Sequence, residues 1–223
     1  MESPTVSVVM PTLNNGAHIK RAVGSILEQR FSDFELLIID DGSSDGTVSQ
    51  ISEFTDERIR LVQRTDETGV VSARNEGLRR SSGRYVAVHD GDDWSHPDRL
   101  RTQVAYLEKN PEVVAVGTGA YLVDETGTIQ ARRRVRESPS RTDNETHTEF
   151  VHGSVMMRRD VLKRIGRYDE WFALAEDYDL WLRLANECAV RNIDEPLYYF
   201  RQHDESQYSS NLETTKLYHL LAL

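Results

Sequence analysis

The sequence predicts an α/β protein in which a mostly parallel sheet is flanked by helices. Short apolar, β-branched runs alternate along the first half with segments whose apolar residues recur at helical spacing. Strands separated by helices of about ten to fifteen residues are typical of βαβ units. The strand segments are apolar throughout, as expected for parallel strands that are buried on both faces.

Five strands and four helices are predicted in the first half of the chain. The strands cover residues 6–12, 34–41, 58–64, 85–90 and 113–118. The helices cover residues 16–29, 44–54, 69–83 and 96–110. In the first helix, apolar side chains at helical spacing are Ile19, Ala22, Val23, Ile26 and Leu27.

The second half of the chain is less regular. Residues 121–135 have the pattern of a hairpin that turns around 125–127, and the polar residues 138–147 are expected to form a loop. A short strand and helix are predicted within 155–170, followed by an amphipathic helix at 175–187. The 223 residues fit one domain. The last ten residues read as an apolar helix cut short, which leaves open a continuation past Leu223.

Composition argues against several classes of protein. The formal net charge of -10 argues against nucleic acid as the main partner, because phosphate backbones attract basic surfaces. The single cysteine, Cys188, allows no intrachain disulfide and fits a reducing compartment. The N-terminus lacks a signal-peptide pattern, and no run approaches the roughly 18 apolar residues that a spanning helix needs. The expected location is therefore the cytoplasm.

Three carboxylates follow the fourth predicted strand, in the segment YVAVHDGDDW. Asp90, Asp92 and Asp93 lie close enough to repel one another, so their crowding needs a compensating charge. Mg²⁺ typically takes one or two carboxylates plus substrate phosphates, and parallel sheets bind ligands beyond the carboxyl ends of their strands. This pattern favours a divalent cation site. The alternative is an acidic turn whose aspartates cap the next helix.

A second acidic segment, IIDDGSSDGT, follows the second predicted strand at the same edge of the sheet. A carboxylate there, such as Asp40 or Asp41, can accept hydrogen bonds from ribose hydroxyls or a base N–H. The alternative is an Asx turn with a helix cap at Asp45. A calcium loop is rejected because Ser52 stands where such a loop requires Glu. The chain has no glycine-rich phosphate loop.

Five segments in order resemble family 2 glycosyltransferases of the GT-A fold. They are PTLNNGAHIKRAVGSILEQ, FELLIIDDGSSDGT, GVVSARNEGLRRSSGRYVAVHDGDDW, EDYDLWLRL and YYFRQHDES. Because the segments extend over nearly the whole chain, the resemblance implies a single GT-A domain over residues 1–223. It implies a nucleotide-sugar-binding half at 1–118 and an acceptor-binding half at 119–223, with a small irregular subregion on the acceptor side.

The resemblance also implies roles for individual residues. The positions matching nucleotide-sugar contacts are Thr12, Asn14, Asp41, Arg74, Asn75, Asp90 and Asp92. The positions implied for a Mn²⁺ or Mg²⁺ cofactor are Asp90, Asp92, Asp93 and His203, the last as a metal ligand or diphosphate contact. Asp177 matches the catalytic base, and the adjacent Glu176 is expected to orient the acceptor.

Several of these residues have structural alternatives. Arg74 is equally consistent with a salt bridge on a helix surface. The acids at 176–179 are also explained by the helix dipole, which favours negative charge in a first turn. Trp94 and Trp181 fit core packing better than sugar stacking. The basic segment 132–136 suits an anionic lipid phosphate or membrane surface, but a solvated hairpin arm explains it more simply.

The implied reaction is an inverting transfer of a sugar from a nucleoside diphosphate sugar, with UDP preferred, to an acceptor hydroxyl. The acceptor class is left open among glycans, lipid-linked molecules and proteins, in the setting of surface polysaccharide or glycan synthesis. A non-catalytic nucleotide-sugar-binding or partner-binding domain on the same fold is the alternative. A nucleotidyltransferase is disfavoured, because PTLNNG is not a basic, glycine-rich loop.

Overall fold

The computed structural model describes residues 3–66, 68–138, 150–172 and 175–202. Within these residues, nine strands form one sheet. The strands are β1 (Val6–Thr12), β2 (Phe34–Asp40), β3 (Ile59–Gln63), β4 (Tyr85–Val88), β5 (Trp94–Ser95), β6 (Val113–Val123), β7 (Ile129–Arg133), β8 (Met156–Arg158) and β9 (Ala189–Arg201). The α-helices are α1 (Ile19–Leu27), α2 (Thr47–Ile51), α3 (Val70–Arg80), α4 (Arg99–Lys109), α5 (Arg159–Ile165) and α6 (Glu176–Glu187).

The sheet has the strand order β3-β2-β1-β4-β8-β6-β9-β5, and β7 pairs with β6 beside this path. Strands β1 to β4 are mutually parallel. The short strand β8 lies between β4 and β6 and is antiparallel to both. Strand β6 and its parallel partner β9 therefore run in the same direction as β1 to β4. Six of the nine described strands therefore run the same way, and the predicted mostly parallel sheet is confirmed.

Both faces of the sheet are covered by helices. Because side chains alternate along a strand, Val8 faces the core beneath α1 and α4, while Val9 faces the core beneath α3, α5 and α6. The same alternation places Leu36 and Leu37 in opposite layers. A strand buried on both sides gains from apolar residues at every position, which explains the continuous apolar runs.

The second half differs from the prediction in one long strand. Strand β9 was not predicted, because Asn192, Asp194 and Glu195 interrupt its apolar pattern and Pro196 lies within it. It pairs with β6 through three register shifts. The predicted fifth strand extends to Val123 and forms the expected hairpin with β7.

The predicted boundary between the two halves, at residue 118, falls inside β6. The predicted loop at 138–147 lies almost entirely outside the described residues. Among the residues that the structure describes, no helix is both long enough and apolar enough to span a membrane.

Candidate functional site

The carboxyl ends of β1, β2 and β4 bring the predicted site residues together. Thr12 ends β1 opposite Asp40 of β2, and the Asp41 amide donates to the Thr12 carbonyl at 2.9 Å. Strand β4 runs beside β1 on its other side and leads into Asp90. Parallel strands that end at the same level therefore place both acidic segments at one edge, which we call the carboxyl edge.

The carboxylate of Asp41 holds the segment that leads into α3. It accepts hydrogen bonds from the Gly69 amide at 2.8 Å and from the Thr68 amide and hydroxyl, each at 3.1 Å. A guanidinium nitrogen of Arg64 lies 3.3 Å away. These donors neutralise the buried charge of Asp41 within the chain itself.

The loop after β1 is fixed against the loop after β2. Asn14 has a positive φ of 51°. Its main-chain amide donates to the Ser43 hydroxyl at 2.9 Å, and its side-chain oxygen accepts from the Ser44 main-chain amide at 2.9 Å. Asp45 accepts from the Gly16 amide at 2.9 Å and from the Thr47 amide at 2.9 Å. The Asx-turn interpretation of Asp45 is therefore correct, whereas the N-cap position of α2 belongs to Gly46.

The turn at 90–93, which we call the acid turn, is short of compensating charge. Burial raises the pKa of Asp93 well above its usual value, and the charges of Asp92 and Asp90 raise it further. The Arg201 amide donates to Asp93 at 2.7 Å but does not offset this. Gly91 packs closely against the end of β1 and the loop after it, since a Cβ there would lie 2.9 Å from both Thr12 Oγ1 and Asn15 Nδ2.

Arg74 lies buried between two acids from distant parts of the chain. Its guanidinium donates to Asp90 Oδ1 at 3.0 Å and forms a second, shorter ion pair with Glu176. Burial would raise the pKa of Asp90, but the charge and hydrogen bond of Arg74 hold it below its usual value. Burial raises the pKa of Glu176 to about 7, even though Arg74 opposes this. Arg74 is thus an internal counter-ion rather than part of a surface salt bridge.

Asn75, the next residue of α3, is held by main-chain groups. Its side-chain amide donates to the Tyr168 carbonyl at 2.9 Å and accepts from the Tyr168 amide at 3.1 Å. Both bonds join α3 to the segment that leads towards α6. These hydrogen bonds are structural, and the role of Asn75 in binding the donor stays a prediction.

Asp177 lies in the first turn of α6 and remains 39% exposed. Its Oδ1 accepts from the Tyr178 amide at 2.7 Å, and its Oδ2 lies 3.9 Å from His152 Nδ1. The neighbouring Glu176 faces Arg74, and Asp179 pairs with Arg183 at 2.6 Å. Of the three acids in this turn, Asp177 is the one left available to solvent.

Two residues near the site were not assigned roles from the sequence. Arg201 donates from Nε to the Asp92 carbonyl at 3.0 Å and so braces the acid turn. Arg201 stands in YYFRQHDES, one of the five segments that resemble the family, and this resemblance was the signal that could have indicated it. His152 lies beside Asp177, and no pattern in FVHGS marked it. His203, a predicted metal ligand, lies outside the described residues.

No three acidic, histidine or cysteine side chains among the described residues are grouped so that they alone could hold a metal ion. Trp94 and Trp181 are buried, and Trp94 stacks on Tyr199 with ring centroids 5.0 Å apart, in line with the packing interpretation. In the basic segment, Arg134 pairs with Asp194 at 2.7 Å on the exposed hairpin. This geometry agrees with a solvated hairpin arm.

Structural comparisons define the fold. The chain superposes on S. aureus TarS in complex with UDP-GlcNAc with a TM-score of 0.79 and 21% sequence identity, over 97% of this chain and 65% of that chain. It superposes on the mannosyltransferase PcManGT from Pyrobaculum calidifontis, in complex with GDP-Man and Mn²⁺, with a TM-score of 0.71 and 23% identity, over 100% of this chain and 63% of that chain. The chain thus spans slightly less than two thirds of each solved protein. Its fold is the predicted GT-A fold.

Sequence comparisons then give the family. Residues 7–166 match the profile of Glycosyl transferase family 2. The Escherichia coli protein UDP-Glc:alpha-D-GlcNAc-diphosphoundecaprenol beta-1,3-glucosyltransferase WfgD is 37% identical over 194 residues, which are 87% of this chain and 75% of the relative. The chain belongs to glycosyl transferase family 2, and the predicted enzyme class, glycosyltransferase, is confirmed.

Proposed function

We propose that this chain catalyses an inverting transfer of a sugar from a nucleoside diphosphate sugar, with UDP as the nucleotide, to an acceptor hydroxyl. The observation that carries the proposal is the position of Asp177. Its carboxylate is partly exposed, while its neighbour Glu176 is tied through Arg74 to Asp90 in the acid turn. A candidate base is thereby linked to the candidate donor site.

The donor would bind across the loops after β1 and β2. Thr12 ends β1, and Asn14 is fixed to the loop after β2 by hydrogen bonds between main-chain amides and side-chain oxygens, so little ordering entropy remains to oppose binding. Asp41 would orient the nucleotide chiefly by holding Thr68 and Gly69, just before α3, in place. These donor-side groups all precede residue 118, and the acids of α6 follow it, in keeping with the proposed division into two halves.

The acid turn fits a divalent cation that is shared with the substrate. Mg²⁺ and similar ions bind one or two carboxylates together with phosphate oxygens, so a cluster of three protein ligands is not required. Burial, and after it the negative charge of Asp92 and Asp90, raises the pKa of Asp93, and this surplus of negative charge is the physical reason for the fit. Asp90 and Asp92 would hold a Mn²⁺ or Mg²⁺ ion, which would neutralise charge that develops on the leaving diphosphate.

The protein groups supply the proton chemistry. Asp177 accepts the proton of the acceptor hydroxyl as the oxygen attacks the anomeric carbon from the side opposite the diphosphate. A single displacement of this kind inverts the anomeric centre and needs no covalent intermediate. Glu176, held by Arg74, fixes the first turn of α6 and so the position of its neighbour.

The proposed acceptor is a sugar attached to a lipid diphosphate. Support comes from the relative WfgD, whose name specifies a GlcNAc-diphosphoundecaprenol acceptor. The first test is a screen of UDP-, GDP- and dTDP-sugars with Mn²⁺ or Mg²⁺ for slow donor hydrolysis, which needs no known acceptor. We expect the fastest release from a UDP-sugar. A second measurement compares how much UDP and UTP stabilise the chain against thermal unfolding. Equal stabilisation by the two nucleotides would point to a nucleotidyltransferase.

Asp177→Asn tests the base. We expect turnover to fall by about 10²–10⁴-fold, since this is the typical contribution of a general base, while UDP binding is retained. Asp179→Asn, on the same helix but paired with Arg183, is the matched control and should retain most activity. Near-normal turnover in Asp177→Asn would show that the base assignment is wrong.

Asp92→Asn tests the cation. Thermal stabilisation by UDP in the presence of Mn²⁺ gives an apparent UDP affinity. We expect this affinity to fall at least about tenfold, because one of the two carboxylate ligands of the ion is lost. Asp98→Asn, in an exposed ion pair with Arg30, provides the control. Titration of each variant with UDP, with and without Mn²⁺, measures the effect. Unchanged Mn²⁺ dependence in Asp92→Asn would exclude this residue as a ligand.

A further inference from the structure

His152 stands in a single 3-10 turn (His152–Ser154) that leads into β8. Its ring lies between those of Tyr168 and Trp181, with centroid distances of 5.8 Å and 5.6 Å. The turn itself cannot shift easily. A Cβ at Gly153 would overlap the Tyr198 hydroxyl and lie 2.8 Å from Asp90 Oδ2. The backbone of this turn is therefore fixed against the acid turn.

Both ring nitrogens of His152 are buried, and neither has a hydrogen-bond partner among the described residues. A neutral imidazole carries one N–H donor and one acceptor nitrogen. Leaving such groups unsatisfied in the interior costs free energy, so an orphaned pair calls for a functional explanation. Ordinary core packing between two aromatic rings would be served as well by an apolar side chain.

The candidate base lies close to one ring nitrogen of His152. Nδ1 lies 3.9 Å from Asp177 Oδ2, slightly beyond hydrogen-bond length, while Asp177 Oδ1 is already bonded to the Tyr178 amide. Hydrogen bonds of catalytic groups are often long without substrate and shorten in the reacting complex. Burial, and after it the charge of Arg74, lowers the pKa of His152 to about 4. The ring is therefore neutral near pH 7 and can carry its single proton on Nδ1.

We propose that His152 is a positioning residue, whose Nδ1–H donates to Asp177 Oδ2 in the reacting complex. The Tyr178 amide on one oxygen and the imidazole on the other would then fix the plane of the carboxylate. One lone pair of Oδ2 remains directed at the acceptor hydroxyl. This inference rests on the proposed role of Asp177 as the base.

The tautomer of His152 gives a test that needs no substrate. Long-range ¹H–¹⁵N spectra of the full chain, recorded near neutral pH, distinguish Nδ1–H from Nε2–H imidazole, and His152→Asn identifies the signal. We expect the Nδ1–H tautomer with UDP and diamagnetic Mg²⁺ present, and a shift of its nitrogen resonance in Asp177→Asn. An Nε2–H tautomer would overturn the proposal.

A double-mutant cycle on donor hydrolysis gives the second test, with the UDP-sugar that the chain hydrolyses fastest. We expect His152→Leu to lower kcat about 10²-fold, the typical cost of misplacing a reacting group, with KM for the donor little changed. His152→Asn, whose amide can replace Nδ1–H, should recover at least about tenfold of this loss. In the Asp177→Asn background, His152→Leu should cause no further loss.

The outcomes separate the two proposals. If Asp177→Asn is inactive and His152→Leu keeps normal kcat, the base assignment stands and the positioning role is overturned. An equal loss from His152→Leu in both backgrounds would also overturn it, because His152 would then act without Asp177. If Asp177→Asn retains normal turnover, the base assignment itself fails. UDP affinity and thermal unfolding of each variant show whether the fold is retained.

Discussion

The two edges of the sheet treat buried acids in opposite ways. At the amino edge, where β1 to β3 begin, Glu35 accepts hydrogen bonds from Ser7 Oγ, from Ser82 Oγ and its amide, and from Arg60, at 2.6 to 2.9 Å. Burial would raise the pKa of Glu35, but these donors hold it below its usual value. The chain supplies everything that this carboxylate needs.

At the carboxyl edge Asp41 is well supplied with donors, but the acid turn and the first turn of α6 are not. Glu176 and Asp90 share one guanidinium, that of Arg74, and burial raises the pKa of Glu176 to about 7. The pKa of Asp93 is also raised, first by burial and then by its acidic neighbours. The comparison teaches that burial of an acid does not itself mark a functional site. The acids whose charge the chain compensates least are the ones where a cation and a substrate are favoured.

The largest expected effect comes from removing a counter-ion at each edge. Arg74→Met leaves two buried carboxylates without their shared partner and should lower the free energy of unfolding by about 3–5 kcal/mol. Arg60→Met is the matched change at the amino edge. It should cost less than about 1 kcal/mol, because Arg60 is 55% exposed and Glu35 keeps its other donors.

Denaturant unfolding of both variants measures the difference between the edges. Equal losses would break the comparison, since they would mean that Glu35 depends on its arginine as strongly as Glu176 and Asp90 depend on theirs.

The next effect is a pH dependence of stability at the carboxyl edge. The pKa of Glu176 is raised in the folded state, so its contribution to stability is fully present below the unfolded pKa near 4.5 and is lost as pH rises to about 7. A displacement of this size corresponds to about 3 kcal/mol. In Glu176→Gln, the free energy of unfolding should therefore fall less than in the wild type as pH rises through this range.

Glu35 should show the opposite sign. Its pKa is lowered in the folded state, so its stabilisation is present above the unfolded value and is lost as pH falls through the folded pKa. Glu35→Gln should be less stable than the wild type near neutral pH, and the difference should disappear in acid. Unfolding curves between about pH 3 and 8 test both variants together. Parallel profiles for Glu35→Gln and Glu176→Gln would remove the distinction between the edges.

The sequence predicts where the acids lie much better than it predicts which groups contact them. The strands and helices of the first half, and the presence of acidic turns at one edge, follow from local periodicity and from where apolar runs end. The partners of those acids are remote: Glu176 lies 102 residues from Arg74, and Arg201 lies 108 residues from Asp93. Charge balance at the site is set by such contacts, so local patterns could not distinguish a satisfied acid from an unsatisfied one.

His152 and β9 were missed for related reasons. A single histidine carries no periodic signal, and its significance comes from being buried beside Asp177, which only the packing of β8 against β4 brings about. Strand β9 gains its stability from pairing with β6 over ten residue pairs rather than from its own pattern. The family resemblance supplied Asp177, because without it the acidic first turn of α6 is explained by the helix dipole.

Apart from the control changes, the smallest expected effect comes from removing one neutral donor from the well-supplied edge. Ser82→Ala deletes the hydroxyl that donates to Glu35 at 2.6 Å but keeps the amide that donates to the same oxygen at 2.9 Å. We expect a loss of about 1.5 kcal/mol near neutral pH, the lower range for a hydrogen bond to a charged group. Ser49→Ala, which loses only an exposed bond to the Gly46 carbonyl, should change stability by less than about 0.5 kcal/mol. The loss in Ser82→Ala should shrink in acid, because protonated Glu35 no longer needs the donor. A loss that is independent of pH would mean that Ser82 acts through packing, and that the low pKa of Glu35 has another source.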